Sequence, residues 1–411
     1  MLSAAVEVDR RDFLVCAELA VAPGERLALF GPSGAGKTTI LEAVAGLVRP
    51  RRAQITLGGR VLTSTAPPRA DVPPWRRRVG LLRQDPGLFP HLSVRANLAY
   101  GPGSDRHGQE LGALAARLGI EGLLDAMPAR LSGGQQHRVA LGRLLLARCD
   151  ALLLDEPYAG LDASLRRGLT DLVRTLVADR RVPSVLVAHE LEEAQAFADQ
   201  LAVLDHGVIL QAGAPGEVVR QPASRRVAEL VGYLGFVPVT RSRRPGPSGV
   251  HVLPGLDTEG RAAGDTLSGD GTGAGQEAFA VAGPVAGTVA GTVAPAEAAG
   301  PAARPGGEPA TGIVAGIHPE RVVPGAQPGR GLVLTGPLTV VRPSGAGWEA
   351  ELMVAGHRIT CRLPDRPEPD NGQLTVTALD PPLFGSGGTA VGQAEQDGAV
   401  GSSYGPDRTA L

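Results

Sequence analysis

Arg26-Leu-Ala-Leu-Phe-Gly-Pro-Ser-Gly-Ala-Gly-Lys-Thr38 joins a short apolar run to a glycine-rich octapeptide that carries Lys37, the only lysine among forty basic residues. The octapeptide Gly31–Thr38 follows the pattern G-x-x-x-x-G-K-[ST] of a phosphate-binding loop, in which glycines let successive backbone N–H groups turn inward around phosphates. A compact ammonium reaches between phosphates as a point charge, a task that a broad planar guanidinium performs poorly. The single lysine in an arginine-rich chain therefore reads as a chemical demand at that position. On this reading Gly31, Pro32, Ser33, Gly34, Ala35, Gly36, Lys37, Thr38 and Thr39 surround a nucleotide's phosphates. The hydroxyl of Thr38 is placed to ligate Mg²⁺, and 37–45 begin a helix whose N-terminus faces the phosphates.

Further along, Ala151-Leu-Leu-Leu-Asp155-Glu156 is an apolar run ending in two carboxylates. Asp155, at the end of a buried strand, can hold Mg²⁺, and Glu156 can orient and polarise an attacking water. Leu131-Ser-Gly-Gly-Gln-Gln-His-Arg138 sets Ser132, Gly133, Gly134 and Gln135 at a helix start. A seryl oxygen and free N–H groups there make a second phosphate-binding surface.

In this order the motifs resemble those of the nucleotide-binding subunits of ABC transporters, and the resemblance covers residues 1–235. It implies ATP and Mg²⁺ as cofactors and a role for each matching position. Gln84, in Leu81-Leu-Arg-Gln84-Asp-Pro86, would sense Mg²⁺ and the γ-phosphate and signal to a membrane partner. Gly160-Leu-Asp162 would form a loop crossing a dimer interface. His189, in Val185-Leu-Val-Ala-His189-Glu190, would contact the γ-phosphate. The implied catalytic set is Glu156, His189 and Gln84, and the implied metal set Thr38, Gln84 and Asp155. The family geometry is a head-to-tail homodimer in which Lys37 of one copy is covered by Ser132 and Gly134 of the other. The usual adenine-stacking aromatic is missing, because residues 1–12 contain none. Phe13 reads as a core-strand residue or, second, as the adenine platform, and Arg10 or Arg11 could stack instead, so the base-binding contact stays open.

Around these motifs the chain of 411 residues reads as two domains with connecting material. Apolar runs at 26–30, 79–82, 151–154 and 184–187 alternate with helical periodicity at 110–118, 134–148, 164–178 and 191–199. This predicts an α/β unit over 1–235 with a helical subdomain and a mostly parallel sheet covered on both faces. Gly, Ala, Pro, Ser and Thr dominate the following stretch, so 236–312 reads as a flexible linker. Short alternating runs from Gly331 to Leu379, separated by Gly, Pro and Asp-Asn-Gly turns, predict a small all-β, OB-like domain over 313–384. Residues 385–411 read as a disordered tail. Cys16, Cys149 and Cys361 are scattered and imply neither disulfides nor a zinc site.

A net charge of −2 argues against a nucleic-acid-binding ATPase, the rival class. No apolar run is long enough to span a bilayer and no leader pattern opens the chain, so the expectation is a soluble subunit at the cytoplasmic face of a membrane. The separate catalytic chain and its β-rich C-terminal domain, opening at Gly316-Ile-His-Pro-Glu-Arg321, resemble importer ATPases. That resemblance implies permease subunits and, indirectly, a substrate-binding protein as partners. Leu88-Phe-Pro-His-Leu-Ser-Val94, Asn97-Leu-Ala-Tyr-Gly101 and Leu118-Gly-Ile-Glu-Gly-Leu-Leu-Asp125 resemble molybdate importers. Ferric-iron importers carry a similar stretch, and Ile317-His-Pro-Glu320 is closer to iron, polyamine and sulfate relatives. An oxyanion such as molybdate is the favoured solute, with iron the main competitor. The C-terminal domain reads either as a solute sensor or as a packing module without a ligand, the second being favoured because no convergent polar cluster is visible.

Overall fold

The structure, a computed structural model, describes residues 1–100, 108–158, 161–241, 250–252, 313–327, 331–345, 347–354, 356–385 and 387–390. Its described residues fall into two compact units, Met1–Ala223 and those from Ser224 onward.

In the first unit the chain opens with β1 (Leu2–Asp9) and β2 (Leu14–Val21), which pair antiparallel from Leu2 opposite Val21 to Asp9 opposite Leu14. Both alternate buried and open positions, so Leu2, Ala4, Val6 and Val8 enter the core beside Val15, Ala17, Leu19 and Val21. Next come β3 (Arg26–Phe30), α1 (Lys37–Ala45), β4 (Arg52–Leu57), β5 (Arg60–Ser64), β6 (Ala70–Asp71), α2 (Pro74–Arg77) and β7 (Val79–Leu82). They are followed by α3 (Val94–Leu98), α4 (Gly108–Arg117), α5 (Gly133–Leu146), β8 (Ala151–Asp155), α6 (Ala163–Arg180) and β9 (Ser184–Ala188). The unit ends with α7 (Leu191–Phe197), β10 (Gln200–Asp205), β11 (Val208–Gly213) and α8 (Pro215–Arg220).

One sheet takes all eleven strands in the order β6-β5-β4-β1-β2-β11-β10-β3-β9-β8-β7. Strands β10, β3, β9, β8 and β7 run parallel, and β8 and β9 are buried at every position, as expected of strands covered on both faces. The prediction of a mostly parallel sheet needs correction: β6, β5, β4, β1 and β2 form an antiparallel half. Its physical basis is short connections, such as the turn at Arg10–Phe13, which only antiparallel neighbours can use. The core against this half takes Ile40, Leu41 and Val44 of α1. The predicted helical subdomain is α3, α4 and α5, packed so closely at Gly142 that a Cβ there would lie 2.6 Å from Leu118 and 2.7 Å from Leu98.

The second unit begins earlier than the expected boundary at 235. Ser224 caps α9 (Arg225–Leu230), whose Val227 and Ala228 are fully buried. The chain continues as β12 (Gly235–Arg241), β13 (Val250–Val252), β14 (Ile313–Ile317), β15 (Val322–Pro324), β16 (Gly331–Ser344), β17 (Gly347–Val354), β18 (His357–Leu363), β19 (Gln373–Leu379) and β20 (Leu383–Phe384). Two antiparallel sheets result, β13-β12-β14-β20 and β15-β19-β16-β17-β18, sharing a core that includes Val237, Ile317, Leu334, Leu352, Ile359 and Val376. Residues 236–241 and 250–252, placed in the linker by composition, are therefore strands; β12 pairs with β14 from Gly235 opposite Ile317 to Val239 opposite Ile313. The remaining linker residues, 242–249 and 253–312, lie outside the described residues. The tail also starts later than 385, since Thr389 bridges Ser224 and Ala390 bridges Phe384; 391–411 lie outside the described residues. The runs at 331–335 and 338–341 are one strand, β16, pairing with β19 at one end and β17 at the other.

Candidate active site

The C-terminal ends of four adjacent parallel strands supply the site. Gly31 follows β3, His189 follows β9, Asp155 ends β8 and Gln84 lies just beyond β7. Outside the carboxyl ends of parallel strands is where an open α/β sheet leaves room for a ligand. At Gly31 the chain leaves β3 so close to β10 that a Cβ would lie 1.9 Å from the Leu204 carbonyl oxygen. Gly36 caps α1 at φ +103°, a conformation that favours glycine, with Val15 2.8 Å from where a Cβ would stand. Because the Gly31 obstacle is backbone, Gly31→Ala is expected to cost at least ~3 kcal/mol of stability. Denaturant unfolding measures it, and a Gly31→Ala midpoint equal to wild type would refute the close-approach argument.

The phosphate loop wraps Lys37, which is buried at 5% exposure; its Nζ donates to the carbonyls of Gly31 at 2.8 Å and Pro32 at 2.9 Å. Burial pushes the Lys37 pKa down, opposed by the negative charges of Glu156 and Asp155. Thr38 Oγ1 donates to Asp155 Oδ2 at 2.9 Å. Burial pushes the Asp155 carboxyl up, and the Thr38 hydroxyl works against that shift. A hydroxyl and a carboxylate so placed are hard oxygen donors of the kind Mg²⁺ accepts. Among the described residues no three His, Cys, Asp or Glu side chains cluster as a cage.

Glu156 is held in a left-handed backbone conformation, φ +51°, which costs energy for any non-glycine residue. That turn carries its carboxylate off the strand end, where Oε1 makes a short contact with His189 Nε2 and Oε2 accepts from Gln84 Nε2 at 3.4 Å. All three expected catalytic residues therefore meet in one place. They line a cleft of about 490 Å³ together with Ser33, Gly34, Gly36, Lys37, Thr38 and Thr39. Gly31, Pro32 and Ala35 do not line the cleft; the carbonyls of Gly31 and Pro32 accept from Lys37, and Ala35 N donates to the Pro32 carbonyl at 3.2 Å.

Arg10 and Phe13 line the same cleft. Phe13, read as a core-strand residue, instead lies half-buried in the turn before β2, where its ring packs against the core cluster and edges the cleft near Gly36. Arg10 Nε donates to Thr39 Oγ1 at 2.8 Å, and Glu42 holds both Arg10 and Arg83 at 3.4 Å on the rim. Sequence reasoning missed Glu42 and Arg83. The usable signal was helical spacing, which puts Glu42 four residues after Thr38 on α1.

The structure does not bring Ser132, Gly133, Gly134, Gln135 or Asp162 to the cleft. Ser132 and Gln135 form a reciprocal capping box at the start of α5, with Ser132 N donating to Gln135 Oε1 at 2.9 Å. Asp162 caps α6, accepting from Ser164 N at 3.0 Å and Leu165 N at 2.9 Å. Gly160 lies outside the described residues. The stretch at 88–97, which resembled molybdate importers, is organised around a fully buried Asn97. Its side chain accepts from Phe89 N at 2.9 Å and donates to the carbonyls of Phe89, Leu92 and Ser93. Arg143 adds hydrogen bonds to the Pro86 and Gly87 carbonyls and lies over the Phe89 ring. These residues fasten the loop that follows Gln84.

Behind the site Glu193 has a buried Oε1 without a hydrogen-bond partner. Burial pushes its pKa up to about 7, with Arg166 pulling it down and Glu190 and Glu156 adding to the rise. A carboxyl raised on folding stabilises the fold fully below its ordinary value of 4.5, and that contribution is lost as pH climbs through about 7. Glu193→Gln should therefore match wild-type stability near pH 5 and exceed it at pH 8 by about 1–3 kcal/mol. Thermal unfolding at the two pH values checks this; equal differences at both would contradict it.

Fold and site together define a phosphate-loop nucleotide-binding protein. The sequence profile of the ABC transporter family matches residues 16–159. The molybdenum import ATP-binding protein of Mycobacterium tuberculosis is 43% identical over 237 residues, 56% of this chain and 63% of the relative. A sulfate/thiosulfate import ATP-binding protein of Chromobacterium violaceum is 42% identical over 229 residues, 55% of this chain and 61% of the relative. A ferric-ion import ATP-binding protein of Pseudomonas fluorescens is 38% identical over 255 residues, 57% of this chain and 71% of the relative. The match thus spans less than two thirds of the molybdenum and sulfate relatives. The chain belongs to the ABC transporter family, among its ATP-binding subunits.

Proposed function

We propose that the chain hydrolyses ATP as the energising subunit of an importer. The observation that carries this reading is the meeting of Glu156, His189 and Gln84 opposite Lys37 and Thr38 in one cleft. Lys37 and the loop amides bind the phosphates; Thr38 and Asp155, with Gln84 beside them, would hold Mg²⁺, which would supply charge neutralisation. Glu156 orients the attacking water, and His189 fixes that carboxylate from the neighbouring strand. Arg10 and Phe13 edge the cleft where a base would lie.

Ser132 and Gly134 are not among the residues lining this cleft, and in a head-to-tail homodimer a second copy's α5 start would complete the site. No helix among the described residues is long and apolar enough to cross a membrane; the chain's import ATP-binding relatives support permease subunits as partners. The kinship with import ATP-binding proteins speaks for a peripheral place on the cytoplasmic face, with a substrate-binding protein supplying solute. For the solute we favour an oxyanion such as molybdate. The molybdenum and sulfate relatives, at 43% and 42% identity, support that reading, with ferric iron as the second at 38%.

The test is ATP turnover of the chain reconstituted with its permease, adding binding protein loaded with molybdate, sulfate or ferric iron in turn. Stimulation by an oxyanion alone is the expected result. Stimulation by iron alone would transfer the assignment, and no response to any solute would count against import.

A further inference from the structure

The segment that follows Glu156 and the segment that follows His189 are tied together a second time, on the far side of the catalytic pair. Arg166, in the first turn of α6, makes a close ion pair with the Glu190 carboxylate through Nη1. Its Nη2 faces the Leu161 carbonyl oxygen at 3.5 Å. One guanidinium fork thus spans the foot of α6 and the residue next to His189, a geometry that a planar, multi-donor group serves and a point charge does not. Glu190 occupies the N-cap position of α7, yet its side chain makes no cap hydrogen bond there. The carboxylate gives up the usual local partner of such a position and turns to Arg166 instead. At the front, beyond the end of β8, the Glu156 N–H donates to the Val187 carbonyl at 3.4 Å and the Glu156 carboxylate meets His189, which is 39% exposed.

We propose that Arg166 is a positioning residue for the Glu156–His189 pair, clamping Leu161 to Glu190 so that the imidazole stays aligned on the carboxylate. Arg166 touches neither residue of the pair and acts through Glu190. The proposal rests on the hydrolase reading for its kinetic consequence but not for its structural one. Both partners are partly exposed, at 31% and 57%, so removing either should leave the fold intact.

Two readouts on the full-length chain test it. In ATP hydrolysis, Arg166→Ala should lower kcat by about 10- to 100-fold, the scale of a misplaced catalytic group. KM and the affinity for a fluorescent ATP analogue should stay within about twofold. Arg166→Lys keeps the ion pair but not the fork, and should fall between Arg166→Ala and wild type. The double variant Arg166→Ala/Glu190→Ala should be no slower than Arg166→Ala, because the two act as a unit. In NMR of histidine-labelled protein, Arg166→Ala should move the His189 ring signals and leave those of His91 and His357 in place. An unchanged kcat with unmoved His189 signals overturns the proposal, as does a kcat loss matched by an equal loss of nucleotide affinity. If wild type hydrolyses no ATP, the hydrolase reading fails, and the His189 signals still decide the role of Arg166.

Discussion

Glu156→Gln is expected to bind ATP within a few-fold of wild-type affinity and to hydrolyse it at least ~100-fold more slowly, the usual scale for removing a general base. The reasoning is geometric. Glu156 makes no hydrogen bond to the phosphate loop; its oxygens face His189 and Gln84, across the cleft from Lys37 and Thr38. The amide is nearly isosteric and keeps a carbonyl oxygen for one of those partners, but it cannot take a proton from water. Phosphate binding through the loop amides and Lys37 is untouched, so the nucleotide-bound dimer should accumulate. Stopped-time assays of bound nucleotide, alongside size-exclusion chromatography with ATP, read both effects. Wild-type turnover in this variant would remove Glu156 from the mechanism, and lost ATP binding would mean that it holds the loop instead.

The second large effect is on stability. Arg77 is 2% exposed, and its guanidinium closes the C-terminus of α1, the helix that presents Lys37 and Thr38. Nη1 donates to the carbonyls of Val44 at 2.9 Å and Ala43 at 3.3 Å, Nε to Val72 at 2.6 Å, and Nη2 pairs with Asp71 at 3.1 Å. Gly46 is what lets the group in, because a Cβ there would stand 2.4 Å from Nε. Burial pushes the Arg77 pKa down and Asp71 opposes that shift, so the cation is held by these partners rather than by water. A cation at a helix C-terminus also complements the helix dipole. Arg77→Ala removes the donor to the Val44 carbonyl, leaves the Ala43 carbonyl with the Gly46 N–H as its donor and opens a cavity, for an expected loss of about 3–5 kcal/mol. For a unit of this size that corresponds to a drop in Tm on the order of 10 °C. Arg77→Lys should recover only part, since an ammonium cannot reach these carbonyls in several directions at once. A loss below ~1 kcal/mol would show that water replaces the guanidinium there.

Arg77 also marks the limit of sequence reading. It stands in Trp75-Arg-Arg-Arg78, where nothing separates the buried arginine from its exposed neighbours. Only the approach of α1 selects it. Arg166 is hidden for the same reason, lying in an ordinary amphipathic helix next to Arg167. The phosphate loop and the Asp155-Glu156 strand end are different. Their chemistry depends on contiguous residues, so residue types at fixed spacing suffice to read them. Gln84 and His189 were placed by resemblance, and the structure adds the reason they matter, which is that β7 and β9 flank β8.

By itself the sequence determined the nucleotide loop, the acid-tipped strand, the helix starts and a separate β-rich region, because each is encoded by local backbone preference and short-range pattern. Tertiary structure alone decided that half of the large sheet is antiparallel, that β12 joins β14 across the low-complexity stretch, and that Glu156 meets His189. Those outcomes are contacts between segments far apart in the chain. An apolar run records that it will be buried, but not beside which partner or in which direction.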